Sequence, residues 1–155
     1  MEDLTESKPR ILIVEDDENV RETLKNLLRQ RGYETDTAKT GKEAIQKSKA
    51  KYYNLALLDI KLPDMEGTKL LATMHENTPK MMKIMVTGYP SLENAVEAVN
   101  KGADAYVIKP VKADELLALV QEKLEEQSQA EKMSEEKVTE WIKTRVHKIE
   151  DENHE

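Results

Sequence analysis

The sequence predicts an α/β fold in which a doubly wound, mostly parallel sheet of five strands is covered by helices on both faces. Short, β-branched apolar segments alternate with segments whose apolar residues recur at helical spacing. The alternation occupies residues 10–125, and no internal repeat or low-complexity tract interrupts it. Because parallel strands need right-handed crossover connections, this order of elements places helices on both sides of the sheet.

Five segments have the composition of strands, and the third is the most uniformly apolar. They are 10–14 (RILIV), 33–38 (YETDTA), 55–59 (LALLD), 82–87 (MKIMVT) and 105–109 (AYVIK). The segment 33–38 is the weakest of them, because polar residues interrupt it. Continuous apolar runs of this length are typical of strands buried on both faces.

Each strand is followed by a helix whose apolar residues share one face. They are Val20, Leu24, Leu27 and Leu28, then Ala44 and Ile45, then Leu70, Leu71 and Met74, then Leu92, Ala95, Val96 and Val99, and last Leu116, Leu117, Val120 and Leu124. Gly32 and Gly102 are stop signals, Pro79 helps to end the third helix, and Ser91 is a candidate cap for the fourth.

Composition excludes several classes of function. The chain has 24 Lys and Arg against 31 Asp and Glu, a net charge of -7, so no direct DNA binding is expected. Cysteine is absent, which excludes disulfides and thiolate chemistry. The acidic N-terminus is not a signal peptide, and no apolar run approaches the roughly 20 residues needed to cross a bilayer. We therefore expect a cytoplasmic protein without membrane insertion.

The chain divides into three parts: a flexible N-terminus at 1–9, a folded domain at 10–125 and a charged, helical extension at 126–155. The extension holds nine acids, five bases and seven apolar residues. Its apolar stripe, at helical spacing between Ser134 and Glu150, consists of Val138, Trp141, Ile142, Val146 and Ile149. One long helix and two helices with a bend both fit. The stripe predicts packing on its own domain, on a second copy or on a partner, and a frayed tail is the alternative.

Polar residues stand at the carboxyl ends of the strong strands. Glu15, Asp16 and Asp17 follow the first strand, and Asp59 ends the third. Ligands of open α/β sheets bind beyond these ends, where the strand order reverses. If the first and third strands are neighbours, Asp16 and Asp59 converge. Carboxylates so close repel one another, and Mg²⁺ removes that conflict.

The fourth and fifth strands add Thr87 and Lys109 to this set. A nucleophilic carboxylate, a hydroxyl donor, an ammonium group and a divalent cation suit phosphoryl transfer, which depends mainly on positioning and charge neutralisation. Asp59 is the candidate nucleophile and would become an aspartyl phosphate. Lys109 and Thr87 would each bind a phosphoryl oxygen.

Three segments resemble the receiver domain of two-component response regulators: 11–20 (ILIVEDDENV), 55–67 (LALLDIKLPDMEG) and 85–111 (MVTGYPSLENAVEAVNKGADAYVIKPV). The resemblance covers about residues 10–125. The chain is similar in organisation to single-domain, chemotaxis-type receivers with a short extension. It implies the flavodoxin-like strand order 2-1-3-4-5.

The same resemblance implies a role for each site residue. Asp59 is the phosphoacceptor, Thr87 the switch hydroxyl, Tyr106 the switch aromatic and Lys109 the lysine of the site. Metal ligands are Asp16, Asp59, the main-chain carbonyl of Lys61 and, through water, Glu15, with Mn²⁺ able to replace Mg²⁺. Lys109–Pro110 is implied to be a cis peptide bond. The first acid of the pair is Glu15, where the family usually has Asp.

The resemblance further implies a signalling protein that catalyses only its own phosphorylation and dephosphorylation. Its partners are a sensor histidine kinase or phosphotransfer protein and a downstream protein that binds the fourth strand, fourth helix and fifth strand. A homodimer is a further expectation. About 30 residues after the domain are too few for a DNA-binding output domain.

Other interpretations stay open at this point. A haloacid-dehalogenase-type phosphatase also uses a strand-end aspartate as its nucleophile. Enzymes of that type resemble one another in having a second aspartate, two residues after the first, as general acid. This chain has Lys61 at that position. A receiver that binds partners without phosphorylation is the second alternative. Glu15 and Asp17 are also suited to the start of a helix, and Tyr106 to an ordinary strand position. Solvated positions are expected for His75, His147 and His154, and core positions for Met81, Met82 and Met85.

Overall fold

The structure, a computed structural model, describes residues 8–153, and their side chains as far as residue 146. Ten elements alternate along the chain. They are β1 (Arg10–Val14), α1 (Glu18–Gln30), β2 (Glu34–Ala38), α2 (Gly41–Ala50), β3 (Leu55–Asp59), α3 (Gly67–Asn77), β4 (Met82–Thr87), α4 (Leu92–Asn100), β5 (Ala105–Ile108) and α5 (Ala113–Asn153). Most of the predicted flexible N-terminus, the side chains of His147 and Ile149, and the whole of His154 lie outside the described residues.

The five strands form one parallel sheet in the order β2-β1-β3-β4-β5, which confirms the expected order. Its register aligns Val14 of β1 with Leu58 of β3, and Asp59 with Val86 of β4. The carboxyl ends of β1, β3 and β4 therefore lie side by side. This alignment brings the polar residues that follow these strands to one edge of the sheet.

Alternating strand residues supply two apolar cores, one on each face of the sheet. Leu12, Ala56 and Met85 contribute to the core that packs against α2, α3 and α4. The adjacent strand positions contribute to the core that packs against α1 and α5, where Leu24 and Leu116 are buried. Each face thus removes a continuous apolar surface from water, at roughly 25 cal/mol per Å².

Caps and glycines determine where the helices begin and end. Thr40 and Ser91 accept hydrogen bonds from the backbone N–H groups of Glu43 and Asn94, so the predicted cap of α4 is confirmed. Gly32 and Gly102 follow α1 and α4 with φ of 89° and 102°. That left-handed conformation is strained for residues with a Cβ atom and ends both helices.

Two predicted strand ends differ by one residue from those observed. β2 begins at Glu34 because the N–H of Tyr33 is bonded to Leu28 O at the end of α1. β5 ends at Ile108, one residue before Lys109. Met81 and Met85 are buried core residues, as expected. Met82 is partly buried and packs against the core on the other face of the sheet.

The apolar face of α4 is largely exposed. Leu92 is 82% exposed and Val99 67%, whereas Ala98 is the buried residue of this helix. The predicted apolar face of α4 left out Ala98, because periodicity does not show which apolar residues another element covers. An exposed row of aliphatic side chains marks a surface suited to a protein partner.

The chain divides into two compact units, and the boundary along the sequence lies between Leu124 and Glu125. In the second unit the backbone is helical as far as Asn153. Its stripe side chains Val138, Trp141, Ile142 and Val146 are each about half exposed, between 49% and 59%. Among the described residues, no helix is both long enough and apolar enough to cross a membrane.

Candidate phosphoryl-transfer site

Three acids meet beyond the carboxyl ends of β1 and β3. Glu15 and Asp59 are buried, with 2% and 8% exposure, whereas Asp16 is exposed. One carboxylate oxygen from each of the three lies within 4.8 Å of the others. The register of β1 and β3 produces this approach, because both strands end at the same edge of the sheet.

Lys109 brings a positive charge to the same place from the end of β5. Its ammonium nitrogen lies 2.5 Å from Glu15 Oε1 and 3.4 Å from Asp59 Oδ2. The N–H of Lys109 donates to Thr87 O at 2.7 Å, and the Lys109–Pro110 bond is cis. The fifth strand thus delivers its lysine to the acids of the first and third.

Burial and mutual repulsion perturb the titration of these groups. Burial, followed by the hydrogen bond with Asp59, raises the pKa of Glu15 from 4.5 to about 7, although Lys109 opposes the shift. Burial tends to lower the pKa of Lys109, but the hydrogen bond to Glu15 and the charges of both acids outweigh it, so that pKa is raised. One lysine does not fully compensate two buried carboxyl groups.

The acids fit a divalent cation. Glu15 Oε2 is buried and has no hydrogen-bond partner among the described residues. A buried acceptor without a donor is costly, and a water bound to a cation at Asp16 and Asp59 would satisfy it. Oxygen ligands of this kind are those that Mg²⁺ binds.

Thr87 ends β4, and Tyr106 lies on β5 in register with Met85 of β4. Thr87 is fully buried, and its hydroxyl accepts a hydrogen bond from the N–H of Tyr89 at 2.9 Å. Tyr106 is half-buried, and its hydroxyl is buried without a partner among the described residues. Because no hydrogen bond holds this hydroxyl, the Tyr106 side chain loses none when it changes rotamer.

Lys61 connects two loops at the rim of the site. Its backbone N–H donates to Asp59 Oδ1 at 3.3 Å, and its ammonium lies 3.9 Å from the centre of the Tyr89 ring. Lys61 occupies the position at which a dehalogenase-type phosphatase would need an acid, and its ammonium group contacts the Tyr89 ring.

A family model described as the response regulator receiver domain matches residues 11–121. The chain belongs to the response-regulator receiver family. The receiver is 40% identical over 119 residues to Regulatory protein AtoC of Escherichia coli, which covers 77% of this chain and 26% of AtoC. It is 32% identical over 111 residues to Cell cycle response regulator CtrA of Brucella ovis, covering 72% of this chain and 48% of CtrA.

Solved receiver structures agree with this assignment. The CheY-like receiver domain protein of Methanospirillum hungatei superimposes with a TM-score of 0.79 at 52% identity, covering 80% of this chain and 99% of that one. The beryllofluoride-activated NtrC4 receiver domain dimer gives 0.73 at 35% identity, covering 76% of this chain and 98% of that one. This chain spans about a quarter of AtoC and half of CtrA.

Two other predicted polar residues take structural positions in the receiver. The side chain of Asp17 accepts from the N–H of Val20 at 3.0 Å and so caps α1. His75 is exposed in the last turn of α3, where a solvated histidine was expected. Neither belongs to the group of three acids.

Sequence reasoning missed three residues that shape the receiver site. Arg21 is buried on α1 and donates to backbone carbonyls of the acidic pair. Asp64 accepts from the N–H groups of Gly41 and Lys42, which ties the loop after Asp59 to α2. The spacing of Arg21 from Leu24, three residues, places a charge on the apolar face of α1, and this was the available signal.

Gly67 is the third missed residue. A Cβ atom there would overlap the main chain of Asp59 and Ile60, and the N–H of Gly67 donates to Ile60 O at 2.5 Å. The first turn of α3 therefore lies directly against the backbone that carries the phosphoacceptor candidate. Its signal was a glycine at a predicted helix start, where a backbone approach is one of the reasons for glycine.

Proposed function

We propose that this receiver accepts a phosphoryl group on Asp59 from the phosphohistidine of a sensor histidine kinase or phosphotransfer protein. The observation that carries the proposal is the meeting of Glu15, Asp16 and Asp59, with Lys109 in contact with two of them. By the family resemblance the protein acts in the cytoplasm as a signalling component rather than as an enzyme on a separate substrate.

In the transfer, an oxygen of Asp59 forms a bond to phosphorus while the bond from phosphorus to the donor nitrogen breaks. The donor nitrogen keeps the electron pair of that bond. Lys109 and the hydroxyl of Thr87 bind phosphoryl oxygens. Asp16, Asp59, the Lys61 carbonyl and Glu15 through water would hold Mg²⁺ or Mn²⁺, which would neutralise charge between the acids and the anionic donor.

Phosphorylation is proposed to switch a protein-binding surface on β4, α4 and β5. Thr87 moves its hydroxyl from the N–H of Tyr89 toward the phosphoryl group, and Tyr106 turns into the space. The exposed aliphatic side chains of α4 and Ile108, which is 54% exposed, supply the apolar contact for a downstream protein. Differential binding of a few kcal/mol is enough for such a population shift.

Labelling with acetyl phosphate tests the phosphoacceptor. We expect one phosphoryl group per chain with Mg²⁺ and none with excess chelator, and Asp59→Asn should abolish the label. Asp16→Asn should reduce labelling strongly. Asp17→Asn is the matched control, because asparagine caps a helix as well as aspartate does and the residue lies outside the acid group.

A stable label of undiminished size on Asp59→Asn would refute the proposal. A wild-type chain that takes no label from any donor, yet binds a partner, would instead favour the receiver that acts without phosphorylation.

A further inference from the structure

A buried guanidinium lies beside the acidic pair and has no part in the chemistry proposed above. Arg21 is 5% exposed on α1. Its Nη1 donates to Glu15 O at 3.0 Å and to Asp16 O at 3.2 Å. No acidic side chain among the described residues forms an ion pair with it.

Helix stability does not explain a cation at this place. Arg21 is the fourth residue of α1, close to the positive end of the helix dipole, where a positive charge is disfavoured. Burial without a carboxylate partner adds a desolvation cost. The compensating contacts are the two carbonyl groups, so the side chain serves the turn between β1 and α1.

The backbone of that turn is held at each of its three residues. The N–H of Glu15 donates to Ala38 O at 3.0 Å, while its carbonyl accepts from Arg21. The Asp16 carbonyl accepts from the same nitrogen, and the Asp17 side chain caps α1. Removal of Arg21 would release two of these fixed points, both in the residues that carry the acids.

We propose that Arg21 is a positioning residue, which holds the backbone of Glu15 and Asp16 so that their carboxyl groups face Asp59 with the spacing a divalent cation needs. This inference rests on the proposed function, because it concerns the same cation. Residues that orient metal ligands commonly contribute about 10- to 100-fold to metal affinity.

A role of Arg21 through its charge and a role in positioning the acids predict opposite changes in cation affinity, which makes the inference testable. If Arg21 acted only through its charge, its neutralisation would strengthen cation binding, since a positive charge near the acids repels the cation. If it positions the acids, neutralisation weakens binding. A role in stability alone would lower the melting temperature and leave the affinity unchanged.

The experiment is a titration of the metal-free chain with Mn²⁺, followed by electron paramagnetic resonance, and with Mg²⁺, followed by amide shifts of residues 15–17. We expect Arg21→Met to weaken both ions about tenfold or more. Arg21→Lys keeps a charged donor and should recover part of the loss. Lys25→Met is the matched control, because it removes a charge from the same helix at a residue paired with Glu22. Its affinity should stay within about twofold of wild type.

Circular dichroism establishes that each variant is folded. Should Arg21→Met fail to fold, Arg21→Gln decides, since its shorter side chain does not span both carbonyl groups and should also weaken binding. A folded Arg21→Met or Arg21→Gln with wild-type or tighter affinity would overturn the inference. Absence of Mn²⁺ binding by the wild-type chain would overturn the proposed function, and the inference with it.

Discussion

The buried carboxyl groups of Glu15 and Asp59 lower the stability of this receiver, and the same burial favours the binding of a cation. Glu15 and Asp59 are taken out of water beside one another, and Lys109 provides a single compensating charge. Desolvation and repulsion both favour a proton or a cation between them. The same features that make the site costly thus prepare it to bind a cation and to accept an anionic donor.

The stability of the metal-free protein should fall between about pH 4.5 and pH 7. The folded-state pKa of Glu15 is raised from 4.5 to about 7, first by burial and then by Asp59. The folded state therefore holds this proton more tightly than the unfolded state does. Its contribution to stability is complete below pH 4.5 and is lost as the pH rises through 7. The raised pKa of Lys109 acts only at higher pH, above 10.5.

Urea unfolding at successive pH values, in the presence of chelator, measures this dependence. Glu15→Gln should flatten the decline, whereas Glu76→Gln, at an exposed position of α3, should leave its slope unchanged. Added Mg²⁺ should oppose the decline, because the cation replaces the proton between the acids. An identical slope in Glu15→Gln and wild type would contradict the assignment of this proton to Glu15.

Among the elements, the contact of α3 with β3 sets the position of Asp59. Gly67→Ala should destabilise the fold by about 1–3 kcal/mol, since its Cβ would overlap the backbone of Asp59 and Ile60. It should also slow labelling of Asp59 by displacing the nucleophile. Gly88→Ala is the matched control, because its Cβ would meet only Lys109 Cδ at an ordinary 3.8 Å. Chemical denaturation and acetyl phosphate labelling provide the two readouts, and equal values for both variants would refute this account.

The elements β4, α4 and β5 should respond together to phosphorylation. Thr87→Ala should still take the label on Asp59, but β4, α4 and β5 should respond only weakly to it. The reason is that the hydroxyl that binds the phosphoryl group is missing. Thr73→Ala removes an exposed hydroxyl from α3 and serves as the control. Beryllofluoride, which mimics the phosphoryl group, should shift amides of residues 88–108 in wild type and in Thr73→Ala, but only weakly in Thr87→Ala. Unchanged amides in wild type would refute the switch.

Sequence reasoning succeeded where a periodic pattern or a strand end was enough. Parallel strands end at a common edge, so polar residues at the carboxyl ends of β1, β3 and β5 were expected to meet, and Asp16, Asp59 and Lys109 lie there. It missed the role of Arg21, because the spacing shows a charge on the apolar face of α1 but not the backbone carbonyls that the charge contacts. It also gave no sign that Leu92 would be exposed, since amphipathic spacing does not reveal what covers a helix face.

For the molecule as a whole, the second compact unit carries a feature that the receiver chemistry does not use. The helical residues from Glu125 onward present Val138, Trp141, Ile142 and Val146 half exposed. A helix with one narrow apolar stripe is marginally stable by itself, because most helix stability comes from packing. We propose that a second copy of this chain packs against the apolar stripe.

Removal of residues 130–155 should leave labelling of Asp59 intact and should reduce self-association, since the site residues all precede Leu124 while the stripe lies beyond it. Ile142→Glu should act in the same way, by burying a charge in the shared surface. Thr144→Glu adds the same charge to a residue outside the stripe and is the control. Light scattering gives the mass, and Trp141 emission should move to shorter wavelengths as its 59% exposed ring becomes buried. Equal masses for the truncated and full chains, with Trp141 emitting as in water at every concentration, would show that the stripe does not join two copies.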